Sequence, residues 1–253
     1  MKNIIITGGA NGIGYFIVKQ LLSERYNVTV LDLETDTLSS LCKEYNSLFS
    51  MACDVRDLKQ VESCVRESIK KYGSIDCAIH NACLCTFESM EQTKQETYHD
   101  VMEVNYFGAL HLSQAVLPYM KSQKKGKIIF TSSGVGVTGF ANISPYASSK
   151  GAIESLAKCL NIEYQNHGIS FHIFHPPLTR TKSAEPLPVP KEFMADPEKV
   201  GIGFVKHIRN KSFIICHSFG QKLQVLSCYL FPIKMGRFMS NMTSKYKAEK
   251  DKR

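Results

Sequence analysis

A chain of 253 residues that is 43% hydrophobic, with 31 Lys and Arg against 23 Asp and Glu, can build one full core and is too apolar for a disordered polymer. No run reaches the ~18 apolar residues of a membrane span, and Met1–Thr7 reads as a strand, not as a signal peptide. The formal net charge of +8 sits at the C-terminal end, where eleven basic residues between Gly201 and Arg253 face only Glu249 and Asp251, so no nucleic-acid partner is expected.

In chain order, the first strand runs into Thr7-Gly8-Gly9-Ala10-Asn11-Gly12-Ile13-Gly14 and then a helix with Ile13, Phe16, Ile17 and Leu21 on one face. Strand, glycine turn and helix together form a phosphate cradle, because the backbone can approach closely and the helix start offers N–H groups. The second strand, Asn27–Leu31, ends at Asp32. A carboxylate about 20 residues beyond the glycines suits the adenosine ribose hydroxyls and repels a 2′-phosphate. A third strand, Leu48–Cys53, ends in Asp54-Val55-Arg56-Asp57, and a helix follows to about Lys71. A fourth strand, Ile75–Ile79, precedes His80-Asn81-Ala82-Cys83. One long amphipathic stretch is predicted from Gln95 to Lys121, then strands over Lys127–Thr131 and Ser170–His175 with a helix between them. Repeated β-α units predict a single doubly wound α/β domain, a central parallel sheet with helices on both faces. Ligands of such sheets bind at the C-terminal strand ends, where these motifs lie.

The helix between the last two strands opens Ser144-Pro145-Tyr146-Ala147-Ser148-Ser149-Lys150. Ser144 is expected to cap it, with Pro145 at its first position. Tyr146 and Lys150, four apart, share a face one turn apart. A phenol titrates near pH ~10, so it exchanges protons poorly at neutrality. A neighbouring ammonium is expected to lower that value and make Tyr146 a general acid/base. Ser133, at the end of the preceding strand, offers a hydroxyl to polarise a carbonyl.

This ordered set resembles the short-chain dehydrogenase/reductase (SDR) family over roughly residues 2 to 181: Thr-Gly-x-x-x-Gly-x-Gly from Thr7 to Gly14, then Asp32, Asp54, Asn81-Ala82, Asn105, Ser133, Tyr146 and Lys150. The resemblance implies a Rossmann domain in which Tyr146 exchanges the proton, Lys150 tunes it and holds the nicotinamide ribose, and Ser133 binds the substrate oxygen. Asn105 would support a proton-relay water. Gly8, Gly12 and Gly14 would line the pyrophosphate, Asp32 the adenosine ribose and Asp54 the adenine. Asn11, Ile13, Val55, Asn81 and Thr181 complete the implied cofactor site. The family's Asn-Asn-Ala-Gly reads His80-Asn81-Ala82-Cys83 here, with His80 expected to pack and Cys83 not to act as a nucleophile. Its Pro-Gly reads Pro176-Pro177, which resembles the branch that reduces long-chain keto-lipids.

The reading is therefore an oxidoreductase that moves a hydride between a nicotinamide cofactor, NAD(H) rather than NADP(H), and a ketone or secondary alcohol. The alternative is a non-catalytic dinucleotide-binding sensor or scaffold. Residues 1–219 form the expected catalytic domain, with proline-rich 182–200 covering the substrate, and 220–253 a basic amphipathic extension. That extension is read as two short helices broken by Pro232, packed on the body or a subunit, with peripheral contact to a membrane surface as the alternative. Nine scattered cysteines without a paired C-x-x-C spacing predict free thiols in a reducing cytoplasm and no metal site. The expected assembly is a homodimer or larger homo-oligomer.

Overall fold

The computed structural model describes residues 2–185 and 187–250, with backbone alone for 247–250. Pro186 of the proline-rich stretch, Met1, and the charged end Asp251, Lys252 and Arg253 lie outside the described residues.

Seven parallel strands form one sheet: β1 (Asn3–Thr7), β2 (Asn27–Asp32), β3 (Leu48–Ala52), β4 (Cys77–His80), β5 (Gly126–Thr131), β6 (Ile169–Phe174) and β7 (Ile214–Ile215), in the order β3-β2-β1-β4-β5-β6-β7. The strand order reverses direction between β1 and β4, where Thr7 pairs with His80. That switch point opens a crevice at the strand ends. Successive β1 side chains point to opposite faces. Ile4 and Ile6 join the core under α1 (Gly12–Ser23) and α8 (Pro197–His207). Ile5 joins the core under α3 (Leu58–Tyr72), α5 (Gly108–Gln123) and α7 (Ser144–Glu163). Both faces are covered, so the strands read as near-continuous apolar runs. Phe174 packs on Phe204 with ring centroids 4.4 Å apart. Truncating a core phenylalanine of this kind costs ~3–5 kcal/mol.

Three expectations change. The stretch from Gln95 to Lys121 is not one helix: α4 (Gln95–Met102) passes through a π turn, Glu103–Phe107, into α5. Ser144 is the first residue of α7 and does not cap it; Ile143 holds the cap position, and the Ser144 hydroxyl pairs with the Tyr98 hydroxyl at 2.6 Å. Pro232 does separate two helices, as expected, although the second is not short. Pro232 begins the 19-residue α10 (Pro232–Lys250), after α9 (Phe219–Leu230), because proline suits a first turn. Both helices pack on the short α6 (Val135–Thr138) that follows Ser133. Gly236 permits this approach, since a Cβ there would stand 2.6 Å from the Gly139 carbonyl oxygen. All nine cysteines are free thiols.

Candidate active site

The glycine turn is tied to its neighbours by buried Thr7, whose hydroxyl pairs with His80 Nδ1 at 2.9 Å and accepts from the Asn81 and Ala82 N–H groups at 3.2 and 3.3 Å. Gly8 has φ +65°, and a Cβ there would lie 2.5 Å from the Ala82 nitrogen. Only glycine fits that turn. The Asn11 side chain does not cap α1. The uncapped N–H groups of its first turn therefore remain available to an anion at the cleft wall formed by Asn11, Gly12 and Ile13.

The cleft encloses about 780 Å³ and extends from Gly8 past Asp32, Asp54 and Val55 to Asn81, Lys150 and Thr181. Gly14 lies behind the turn, buried in α1. Thr181 faces the glycines across the mouth; a Cβ on Gly12 would be 3.1 Å from its methyl carbon. Asp32 accepts from the Ala10 N–H at 2.8 Å through one oxygen and from Leu33 at 2.9 Å through the other. Burial raises its carboxyl above the usual range, opposed by these backbone bonds. A carboxylate has about four acceptor sites, so capacity remains for ribose hydroxyls.

Several residues assigned to the cofactor spend their side chains elsewhere. Asp54 is gripped by Arg56, with Nη2 to Oδ2 at 2.7 Å and Nε to Oδ1 at 3.0 Å, and this guanidinium holds its carboxyl below the usual range. Asn81 donates to the Gly8 carbonyl at 2.8 Å and accepts from the Thr131 hydroxyl at 3.2 Å. Asn105, fully buried in the π turn, donates to the Leu84 carbonyl at 3.0 Å and Ser149 Oγ at 2.9 Å, and accepts from the Leu84 N–H at 2.8 Å. Its amide clamps the 83–85 segment, so any part in a proton relay falls to its backbone. Sequence reasoning missed Arg56. Its only signal was a cation two residues past Asp54.

Lys150 is 1% exposed, and its Nζ donates to the Thr131 carbonyl at 2.7 Å while lying 5.5 Å from the Tyr146 ring centre. Tyr146 is half-buried. Burial pushes this phenol well above its ordinary value; Cys83 and Cys85 add to the rise, and hydrogen bonding with Ser133 opposes it. The expected lowering by Lys150 is thus corrected: the ammonium is directed at Thr131, and desolvation dominates. A phenol raised in this way is protonated at neutral pH.

Ser133 and Tyr146 also form the polar floor of a second cavity of about 260 Å³. Its walls come from three places: Val135 and Phe140 after Ser133, Leu187, Val189 and Phe193 after Thr181, and Val225, Met235, Phe238 and Met239 of α9 and α10. Tyr146 and Lys150 thus stand where a dinucleotide cleft meets an apolar pocket. Glycine cradle, uncapped helix start and the Asp32 carboxylate on the cleft wall together fit a nicotinamide dinucleotide.

Comparison with known proteins agrees. The sequence model of the family described as short chain dehydrogenase matches residues 2–191. The 3-ketodihydrosphingosine reductase of Bos taurus is 26% identical over 251 residues, covering 91% of this chain and 76% of that protein. Among solved structures, a short-chain dehydrogenase from Streptomyces avermitilis has a TM-score of 0.80 at 22% identity, covering 100% of this chain and 99% of that one. A gluconate 5-dehydrogenase from Burkholderia cenocepacia, in complex with NADP and tartrate, has a TM-score of 0.73 at 22% identity, covering 80% of this chain and 85% of that one. At such identity these two likenesses concern the fold. The match over residues 2–191 makes this chain a member of the short-chain dehydrogenase family, an oxidoreductase that moves a hydride between a nicotinamide cofactor and a ketone or secondary alcohol.

Proposed function

We propose that the chain is an NAD(H)-linked reductase of lipophilic ketones. The observation that carries the reading is the apolar pocket with Ser133 and Tyr146 as its polar floor. A carbonyl is the polar group such a site suits, with the rest of the molecule apolar. In this reading residues 1–219 are the catalytic body, the segment after Thr181 covers the substrate through Leu187, Val189 and Phe193, and α9 and α10 close the pocket.

The Ser133 hydroxyl and the Tyr146 phenol donate hydrogen bonds to the carbonyl oxygen and stabilise the charge that develops there. A bound nicotinamide supplies the hydride. Tyr146 hands its proton to the oxygen, so that ketone, hydride and proton sum to the alcohol. The raised phenol starts protonated, as donation requires, and burial makes its proton harder to release. Lys150 stands beside the phenolate that remains, its Nζ 5.5 Å from the ring centre. The bovine relative is named a reductase of a keto compound, which agrees with a ketone as substrate.

Asp32 supports NAD(H), since its carboxylate at the adenosine ribose would repel a 2′-phosphate. The Burkholderia neighbour carries NADP, so the preference rests on Asp32 and not on likeness. Beside the pocket, α9, α10 and Phe231 between them expose Leu223, Leu226, Leu230, Phe231, Ile233 and Phe238, flanked by Lys222, Lys234 and Arg237. Among the described residues no helix is long and apolar enough to cross a membrane. This rim suits shallow contact with an anionic lipid surface, which would bring lipophilic substrate to the mouth.

The test is a panel of ketones of rising chain length with NADH and NADPH, beside liposome flotation. The expected outcome is kcat/KM rising with chain length, NADH ahead of NADPH, and flotation that needs anionic lipid. Asp32→Ala narrows the cofactor preference by weakening NADH. A higher kcat/KM with NADPH overturns the cofactor assignment. Dinucleotide binding without turnover of any ketone turns the reading to a sensor or scaffold.

A further inference from the structure

Behind Ser133, Tyr146 and Lys150 lies a second polar cluster that none of these roles uses. Glu154 is 4% exposed and continues the α7 face that carries Tyr146 and Lys150, one turn further on. Its Oε1 accepts from the Ser132 hydroxyl at 3.0 Å and lies 3.3 Å from His175 Nε2. Its Oε2 accepts from the Tyr229 hydroxyl at 2.7 Å. His175 Nε2 also lies 3.3 Å from that hydroxyl, with the two rings edge to face. Burial holds His175 down to about 4, so at neutral pH it meets Glu154 as a neutral donor and not as an ion-pair cation. A buried carboxyl is costly unless hydrogen-bonded, and here each oxygen is served.

The members come from α7, the end of β5, the end of β6 and α9. Each adjoins a group of the site. Ser132 precedes Ser133, and its hydroxyl also reaches the Lys150 carbonyl at 3.4 Å. His175 precedes the pocket-lining Pro176, and Tyr229 follows the pocket-lining Cys228. The apolar anchoring of α9 is thin: Gln221, Val225 and Cys228 are buried, whereas Phe219, Leu223, Leu226 and Leu230 are exposed. The Tyr229–Glu154 bond is therefore a main tie between this pocket wall and the catalytic helix.

We infer that Glu154 is a positioning residue that latches α9 through Tyr229, and the end of β5 through Ser132, so that the distal pocket wall and the Ser133 hydroxyl keep one fixed relation. A substrate long enough to touch α9 is then held with its carbonyl in register with Tyr146. The consequence for substrates rests on the lipophilic-ketone reading; the latch itself does not.

The test is Tyr229→Phe in the full chain, which keeps the ring and deletes one hydroxyl. Amide hydrogen exchange in α9 is expected to rise about tenfold while α1 and α5 stay protected. KM for a long-chain ketone is expected to rise about tenfold, with kcat for a short ketone within about twofold of wild type. Glu154→Gln, which keeps an acceptor for Tyr229, should retain more of the long-chain KM than Glu154→Ala. Unchanged α9 exchange overturns the latch, as does an equal loss on short and long ketones or a Gln variant no better than Ala. If the wild type reduces no ketone, the function proposed above falls, and exchange in Tyr229→Phe alone decides the latch.

Discussion

Tyr146 illustrates how a local pattern and its surroundings set different properties. The spacing to Lys150 puts both on one face of α7, but the phenol's proton affinity follows from burial and from Cys83 and Cys85 beside it. If it carries the proton, Tyr146→Phe should lower kcat by ~10²–10⁴-fold while dinucleotide affinity holds, since the ring stays and only the hydroxyl goes. Steady-state rates beside a fluorescence titration of NADH check this; a near wild-type rate removes the assignment. The glycine turn, Asp32, Ser133, Tyr146 and Lys150 were legible because each sits at a strand end or within one helical turn of its partner. The grip of Arg56 on Asp54 and the clamp of Asn105 on Leu84 were not. Those depend on rotamers and on contacts across 21 residues of chain, which no spacing encodes.

At the scale of elements, the sheet and its helices were readable from apolar periodicity, while irregular joints were not. The π turn at Glu103–Phe107 interrupts a stretch whose pattern looks continuous, because what it aims, the Asn105 amide, is a tertiary contact. The C-terminal end is amphipathic in sequence, but periodicity does not say what its apolar face covers. Part of it lines the pocket through Met235, Phe238 and Met239, and part stays exposed as Leu223, Leu226 and Leu230. Gly236 is the pivot of that packing. Gly236→Val forces a side chain against the Gly139 and Thr138 carbonyls, at 2.6 and 2.9 Å from the Cβ, and should lever α10 away from α6. The expected result is a fall of about tenfold or more in kcat/KM for long ketones relative to short ones, with circular dichroism unchanged for the body. An unchanged ratio would mean that α10 does not shape the pocket in solution.

Across the whole molecule, the core that covers both faces of the sheet also encloses histidines that must stay neutral. Burial drives His80 down to about 3 and His172 and His175 to about 4. In the unfolded chain such groups titrate near pH ~6.5. Above that value neither state binds these protons, and stability is level with respect to them. As pH falls below it, the unfolded chain takes up protons that the fold refuses, so stability drops until the folded values are reached. Each pH unit costs about 1.4 kcal/mol per histidine, so three histidines over two units remove several kcal/mol, a large part of the ~5–15 kcal/mol typical of a domain. Asp54 and Asp76, whose carboxyls are lowered in the fold, act in a separate window: their contribution is lost only as pH falls below the ordinary carboxylate range. Acid unfolding should therefore begin well above that range. His172 offers the cleanest test, since it lies outside the site and bonds only Ser212 O at 2.7 Å and Ser170 Oγ at 2.9 Å. Urea melts between pH 7 and pH 4 should show His172→Gln losing about 1.4 kcal/mol per pH unit of the wild-type slope, the share of one proton. An unaltered slope would mean that His172 is protonated in the fold and that the acid sensitivity lies elsewhere.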